Sequence, residues 1–147
     1  MAKLYQYLNN NGEFDYQSYS HIQRKGNLNK SNVVWAEQDN IQYLASRVSS
    51  RLGSVEFGIC HGTRTGLEQV WFEEALECRV LGTDISSDAV RYGRTIEWDF
   101  HHAKNEWRTA TCFIYSNSWD HSYDPQKCFQ TWVDCLRING LMLLDHS

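Results

Sequence analysis

Short apolar runs alternate with amphipathic segments along most of this chain, and that alternation restricts the fold more than any other feature. The stretch "WAEQDNIQYLASRVSSRLG" (35–53) repeats Ile41, Leu44, Ala45, Val48 and Leu52 at helical spacing and stops at Gly53. A strand is predicted over "SVEFGI" (54–59), then a helix over "RTGLEQVWFEEALE" (64–77) with Leu67, Val70, Trp71 and Leu76 buried. "RVLGTDI" (79–85) and "TIEWDF" (95–100) read as strands, with "DAVRYG" (88–93) a short helix or turn between them. "TATCFIYSN" (109–117) is rich in β-formers and predicts a central strand. Asp124 and Pro125 then cap and open a helix whose apolar stripe is Cys128, Phe129, Trp132, Val133 and Leu136. Asn139-Gly140 is expected to end it, before a last buried strand in "LMLLDHS" (141–147).

These strands are short and apolar throughout rather than alternating in polarity, as in a parallel sheet covered on both faces. Right-handed crossovers make such a sheet doubly wound, so the expected class is α/β with three αβα layers. Ligands of these sheets bind beyond the carboxyl ends of the strands, where strand order reverses. Asp84, Asp99, Ser116, Asn117 and the glycines of "EFGICHGTRTG" (56–66) all fall at such ends.

The 147 residues, 41% hydrophobic and 22% charged, suit one soluble domain with its own core. A net charge of −4 gives no electrostatic basis for nucleic-acid binding. The one basic stretch, "HIQRKGNLNK" (21–30), reads as a solvated loop. No run approaches the roughly 18 apolar residues of a membrane span, and the first residues lack a signal-like apolar stretch. The five cysteines (Cys60, Cys78, Cys112, Cys128, Cys135) form an odd set without paired spacing, so reduced thiols in a cytoplasmic protein are expected. Cys128 and Cys135 lie two helical turns apart, which turns at least one of them inward. No CxxC or HExxH occurs, and no metal is expected.

Spacing decides what the glycine-rich turn can hold. A dinucleotide turn needs G-x-G-x-x-G; counted from Gly58 the next positions are Cys60 and Thr63, and counted from Gly62 the next is Arg64. A nicotinamide oxidoreductase is therefore disfavoured. A Walker loop fails for want of G-K-[ST].

"E-F-G-I-C-H-G" resembles motif I of the class I S-adenosylmethionine (SAM)-dependent methyltransferases. Glu56, Gly58 and Gly62 match, and Cys60 stands in place of the middle glycine. The resemblance runs over 33–147 and implies a Rossmann-like domain that binds SAM and releases S-adenosylhomocysteine. It implies that Asp84, followed by Ile85, grips both ribose hydroxyls, because a carboxylate can accept two hydrogen bonds from a vicinal diol. Asp99 falls where the family accepts from the adenine amino group, with Phe100 as a ring contact. Glu56, Gly58, Cys60, His61, Gly62 and Ser116 are the remaining implied contacts at the strand ends. The helix starting near Arg64 would offer N–H groups to the methionine carboxylate. Arg64 itself either pairs with that carboxylate or is a solvent-exposed helix arginine.

The loop "YSNSWDHSYD" (115–124) falls where such enzymes hold the acceptor. Asn117 would orient it, and Asp120 with His121 would form a base and its orienter; alternatively these two cap the next helix or tie down the loop. "SNSW" stands where nucleic-acid and protein amino-methyltransferases often carry "(D/N)PP(Y/F)", so a small-molecule acceptor is favoured and no nucleic acid is expected. Residues 1–32 form a lid or cap segment, with Tyr16, Tyr19 or Lys30 on the ligand, or else aromatics packed on the sheet. Strands six and seven of the family are not found after "LLDHS", which implies a shortened domain whose fifth strand has an open apolar edge suited to a second copy. The leading expectation is methyl transfer; the alternative is a non-catalytic SAM-binding or assembly module.

Overall fold

The computed structural model of the chain describes residues 7–29 and 36–146. Lys30, the start of the helical pattern at Trp35, the boundary between residues 32 and 33, and Ser147 lie outside the described residues. Five parallel strands, β1 (Phe57–His61), β2 (Arg79–Asp84), β3 (Thr95–Glu97), β4 (Thr111–Ser116) and β5 (Leu136–Leu144), form one sheet in the order β3-β2-β1-β4-β5. Order reverses between β1 and β4, where Gly58 pairs with Val80 on one side and Phe113 on the other. This is the doubly wound α/β arrangement that the alternation predicts.

Helices α2 (Gln38–Leu52) and α3 (Leu67–Leu76) cover one face. Ile41, Ala45, Val48 and Phe72 meet Cys60, Val80, Phe113 and Tyr115 there. Helix α4 (Pro125–Cys135) covers the other, where Cys128, Trp132 and Cys135 meet Phe57, Ile59 and Ile114. Both cysteines of that helix therefore point inward. Each fully buried side chain of the Ile or Phe kind contributes about 1.5–3 kcal/mol, so the sheet's interior strands are the stable floor of the molecule.

Three expected boundaries are corrected. Strand β1 starts at Phe57, not Ser54, and runs on through Cys60 and His61, which pair with Gly82 and Thr83. The histidine reads as a loop residue, yet it lies flat on Trp132 at 4.8 Å and is only 3% exposed. Helix α4 ends at Cys135, because Leu136 already pairs with Thr111; residues 137–140 bulge out before Leu141 resumes the ladder opposite Phe113. Asn139, at φ 66, turns that bulge instead of ending the helix. Residues 21–29 of the basic stretch are not a loop but the greater part of helix α1 (Tyr16–Asn29). Asp15 starts it, its Oδ1 accepting from the N–H groups of Gln17 and Ser18.

Gly58 also departs from expectation. A Cβ there would run into the ring of Phe113, so this glycine admits an aromatic side chain between β1 and β4 and does not border a ligand.

Candidate functional site

The chain leaves β1 through Gly62, whose φ of 69 is left-handed. Its N–H and that of Thr63 both donate to the carbonyl of Thr83, at 2.8 and 3.0 Å, which swings the chain across the top of β2. A Cβ on Gly62 would lie 2.7 Å from Cβ of Ser118, whose hydroxyl donates to the Gly62 carbonyl. Left-handed residues recur at Arg64 (φ 53) and Gly66 (φ 75), so the turn alternates in handedness up to the start of α3. The strained positions are thus 62, 64 and 66, two residues later than the motif suggests for the middle glycine, and Cys60 belongs to the strand.

Asp84 ends β2 directly beside this turn, 2% exposed. Its Oδ2 accepts from the main-chain N–H of Arg64 at 2.9 Å and its Oδ1 from that of Ser86 at 2.8 Å. Two loops therefore aim one carboxylate. Beyond β3, Asp99 is a second carboxylate, mostly covered, with a side chain 10% exposed. Burial pushes its carboxyl up, but the side chain and main chain of His101 bond to its ionised form and hold it at about 2. Its Oδ2 is buried without a hydrogen-bond partner in the chain.

The two carboxylates line one cleft at the carboxyl edge of the sheet. Of the residues singled out in the sequence, Gly62, Arg64, Asp84, Ile85, Asp99, Phe100 and His121 line it. Tyr19, named as a candidate ligand contact of the N-terminal segment, lines it as well, and so do Gln23, Trp98 and Ser118, which were not singled out. The i, i+4 spacing of Tyr19 and Gln23 is the signal for one helix face, but it shows only once 16–29 is known to be helical. Tyr19 fastens that helix by donating to the carbonyl of His121 at 3.1 Å, and Arg24 donates to the carbonyl of Ile85 at 3.0 Å.

The other singled-out residues lie elsewhere. Glu56 is exposed and precedes β1, at the far end of the strand from Asp84, so it does not share their cleft. Gly58, Cys60 and His61 are inside β1; burial and the nearby His101 hold His61 down at about 3, a neutral core ring bonded to the Thr83 hydroxyl at 2.7 Å. Ser116 is fully buried, its hydroxyl donating to the His61 carbonyl at 3.1 Å. Asn117 and Asp120 are not among the cleft-lining residues; Asp120 stands 3.9 Å from His121, its expected partner, and 3.7 Å from His146, with all three side chains well exposed. Behind the turn, Glu68 in the first turn of α3 is 8% exposed, and burial, helped by Asp84, raises its carboxyl to about 8. Among the described residues, no three His, Cys, Asp or Glu side chains converge as a metal site, and no helix is long and apolar enough to cross a membrane.

No protein-family model matches the chain, and no curated protein matches it in sequence. Solved structures do. The 1,6-didemethyltoxoflavin N1-methyltransferase of Burkholderia thailandensis, solved with that compound and S-adenosylhomocysteine, superposes with a TM-score of 0.69 at 15% identity over 90% of this chain. A sugar N-methyltransferase from a Streptoalloteichus species gives 0.64 at 11% identity over 100% of it. The fold is that of the class I SAM-dependent methyltransferases. The geranyl diphosphate C-methyltransferase of Streptomyces coelicolor, solved with Mg2+, geranyl diphosphate and S-adenosylhomocysteine, shares this methyltransferase fold with a TM-score of 0.60 at 15% identity over 71% of the chain. The chain spans 64%, 60% and 44% of these three proteins' own lengths.

Proposed function

We propose that this chain binds SAM in the cleft and transfers its methyl group to a small-molecule acceptor, leaving S-adenosylhomocysteine. One observation carries the reading. Two carboxylates, the buried Asp84 and the mostly covered Asp99, flank a left-handed glycine turn at the sheet's switch point, in a fold shared with methyltransferases. The residues suit an adenosyl ligand in two respects: Asp99 Oδ2 is a buried acceptor without a partner, and Gly62 presents main chain where a Cβ would not fit.

SAM supplies an activated methyl on a positively charged sulfur, and the chain's contribution is placement. Asp84, aimed by the N–H groups of Arg64 and Ser86, would accept from the ribose hydroxyls. Asp99 would accept from the adenine amino group, with Phe100 and Trp98 walling the base. His121, on the same cleft wall, is the nearest group able to take a proton from an acceptor, and Ser118 and Gln23 are polar groups able to orient one.

A second reading, a SAM-binding module without catalysis, is favoured by one fact: of Asn117, Asp120 and His121, only His121 lines the cleft. Calorimetry with SAM, S-adenosylhomocysteine and NAD tests the cofactor. We expect binding of the first two only, and at least about a tenfold loss in Asp84→Asn, since one acceptor oxygen becomes a donor. Binding of NAD alone would refute the reading. Release of labelled S-adenosylhomocysteine on incubation with candidate amines and hydroxy compounds separates catalysis from mere binding.

A further inference from the structure

Asp99 offers the cleft one oxygen, and His101 decides which. The main-chain N–H of His101 donates to Asp99 Oδ1 at 2.9 Å, and ring Nδ1 lies 2.6 Å from the same oxygen. Oδ2 is buried without a partner at hydrogen-bonding distance, the Tyr16 hydroxyl being the other side-chain group that interacts with this carboxylate, and Asp99 lines the cleft. The imidazole is 1% exposed, stacked on Tyr123 at 3.9 Å and edged by Phe100 and Tyr19. Its proton can be placed from its neighbours. The N–H of Asp124 donates to Ser122 Oγ at 3.1 Å, and that hydroxyl stands 2.7 Å from His101 Nε2. If Ser122 donates onward to Nε2, then Nδ1–H donates to Asp99 and every group is satisfied. The reverse direction would press a bare Nδ1 lone pair against a carboxylate oxygen. In the neutral ring, as in the charged ring with both nitrogens protonated, Nδ1–H therefore donates to Asp99.

We infer that His101 is a positioning residue for base recognition in the cleft: by engaging Oδ1 through both its main chain and its ring it fixes the Asp99 carboxylate so that Oδ2 stays in place to accept from a purine 6-amino N–H and to repel a 6-oxo oxygen. This rests on the reading of the cleft as an adenosyl site. A 6-oxo group would set two acceptors face to face inside a buried site, and sites built around one hydrogen bond reject ligands that cannot make it.

The test compares S-adenosylhomocysteine with its deaminated analogue, S-inosylhomocysteine, by calorimetry on the wild-type chain, His101→Phe, His101→Asn and His101→Gln. The wild type is expected to prefer the amino ligand by about a hundredfold. His101→Phe should cut that preference at least tenfold. His101→Asn, whose amide nitrogen reaches the place of Nδ1, should restore it, and His101→Gln, which reaches the place of Nε2, should not. Long-range nitrogen–proton NMR on the ligand-free protein should find the ring proton on Nδ1, a readout independent of any ligand. Should the phenylalanine variant fail to fold, the asparagine and glutamine pair carries the comparison. A wild type that binds neither ligand removes the adenosyl reading. A wild type that binds S-adenosylhomocysteine without preference, variants that keep the full preference, or a proton on Nε2 alone each overturn the role of His101 and leave that reading standing.

Discussion

Two buried groups with opposite displacements, His61 and Glu68, give this fold a defined response to pH. His61 falls from 6.5 to about 3 on burial, and Glu68 rises from 4.5 to about 8. Between pH 3 and 6.5 the unfolded chain carries a proton on His61 that the native chain excludes, so stability rises with pH. Between pH 4.5 and 8 the native chain keeps a proton on Glu68 that the unfolded chain has lost, so stability falls with pH. The two slopes cancel from 4.5 to 6.5 and leave a plateau. Above 6.5 only Glu68 acts, at about 1.4 kcal/mol per pH unit, or about 2 kcal/mol by pH 8. Below 4.5 only His61 acts, joined under 3.8 by Asp99, whose native carboxyl stays ionised to about 2. Urea denaturation at constant ionic strength reads this directly. With a slope of about 2 kcal/mol per molar, the midpoint should drop by about 1 M between pH 6.5 and 8. Glu68→Gln, an uncharged near-isostere of the protonated side chain, should abolish most of that drop while leaving the acid limb unchanged. If the variant loses stability above pH 6.5 as steeply as the parent, Glu68 is not the neutral buried acid described here.

Gly62→Ala should destabilise the chain by about 2 kcal/mol in the same assay, part from the left-handed backbone and part from the 2.7 Å approach to Ser118. Pairing it with Ser118→Gly should recover only the contact part, leaving about 1 kcal/mol. Glu56→Gln should leave the affinity for S-adenosylhomocysteine within about twofold, because Glu56 sits at the opposite end of β1 from the cleft; a loss beyond tenfold would contradict that placement.

The class of fold was readable because its cause is regional: five apolar runs and the helices between them average over many residues, and the order of Asp84 and Asp99 along the chain follows from it. Single positions were less readable. Cys60 and His61 look like loop residues by polarity, yet they pair with β2 because Trp132, distant in sequence, supplies a flat apolar surface for the imidazole. Glu56 looked like a partner of Asp84, but the strand begins one residue after it. Asn139-Gly140 is a common helix stop that here turns a bulge, since Leu136 finds Thr111 before the helix can continue. The pair His101-His102 reads as loop, and the role of His101 does not show, because its neighbours Asp99, Ser122 and Tyr123 come together only through the docking of α4.

The cleft has a floor and a roof of unequal strength. Its floor is interior sheet, which opens only when the whole molecule unfolds. Its roof is helix α1, fastened by the buried Tyr19, which packs on Tyr123 and His101 and donates to the His121 carbonyl, and by Arg24, which donates to the Ile85 carbonyl and whose ion pair with Glu97 at 3.0 Å is about half exposed on both sides. Exposed pairs of that kind hold by roughly 0–1 kcal/mol. The aromatic contacts of Tyr19, and not the ion pair, are therefore what keeps the roof on the walls below it.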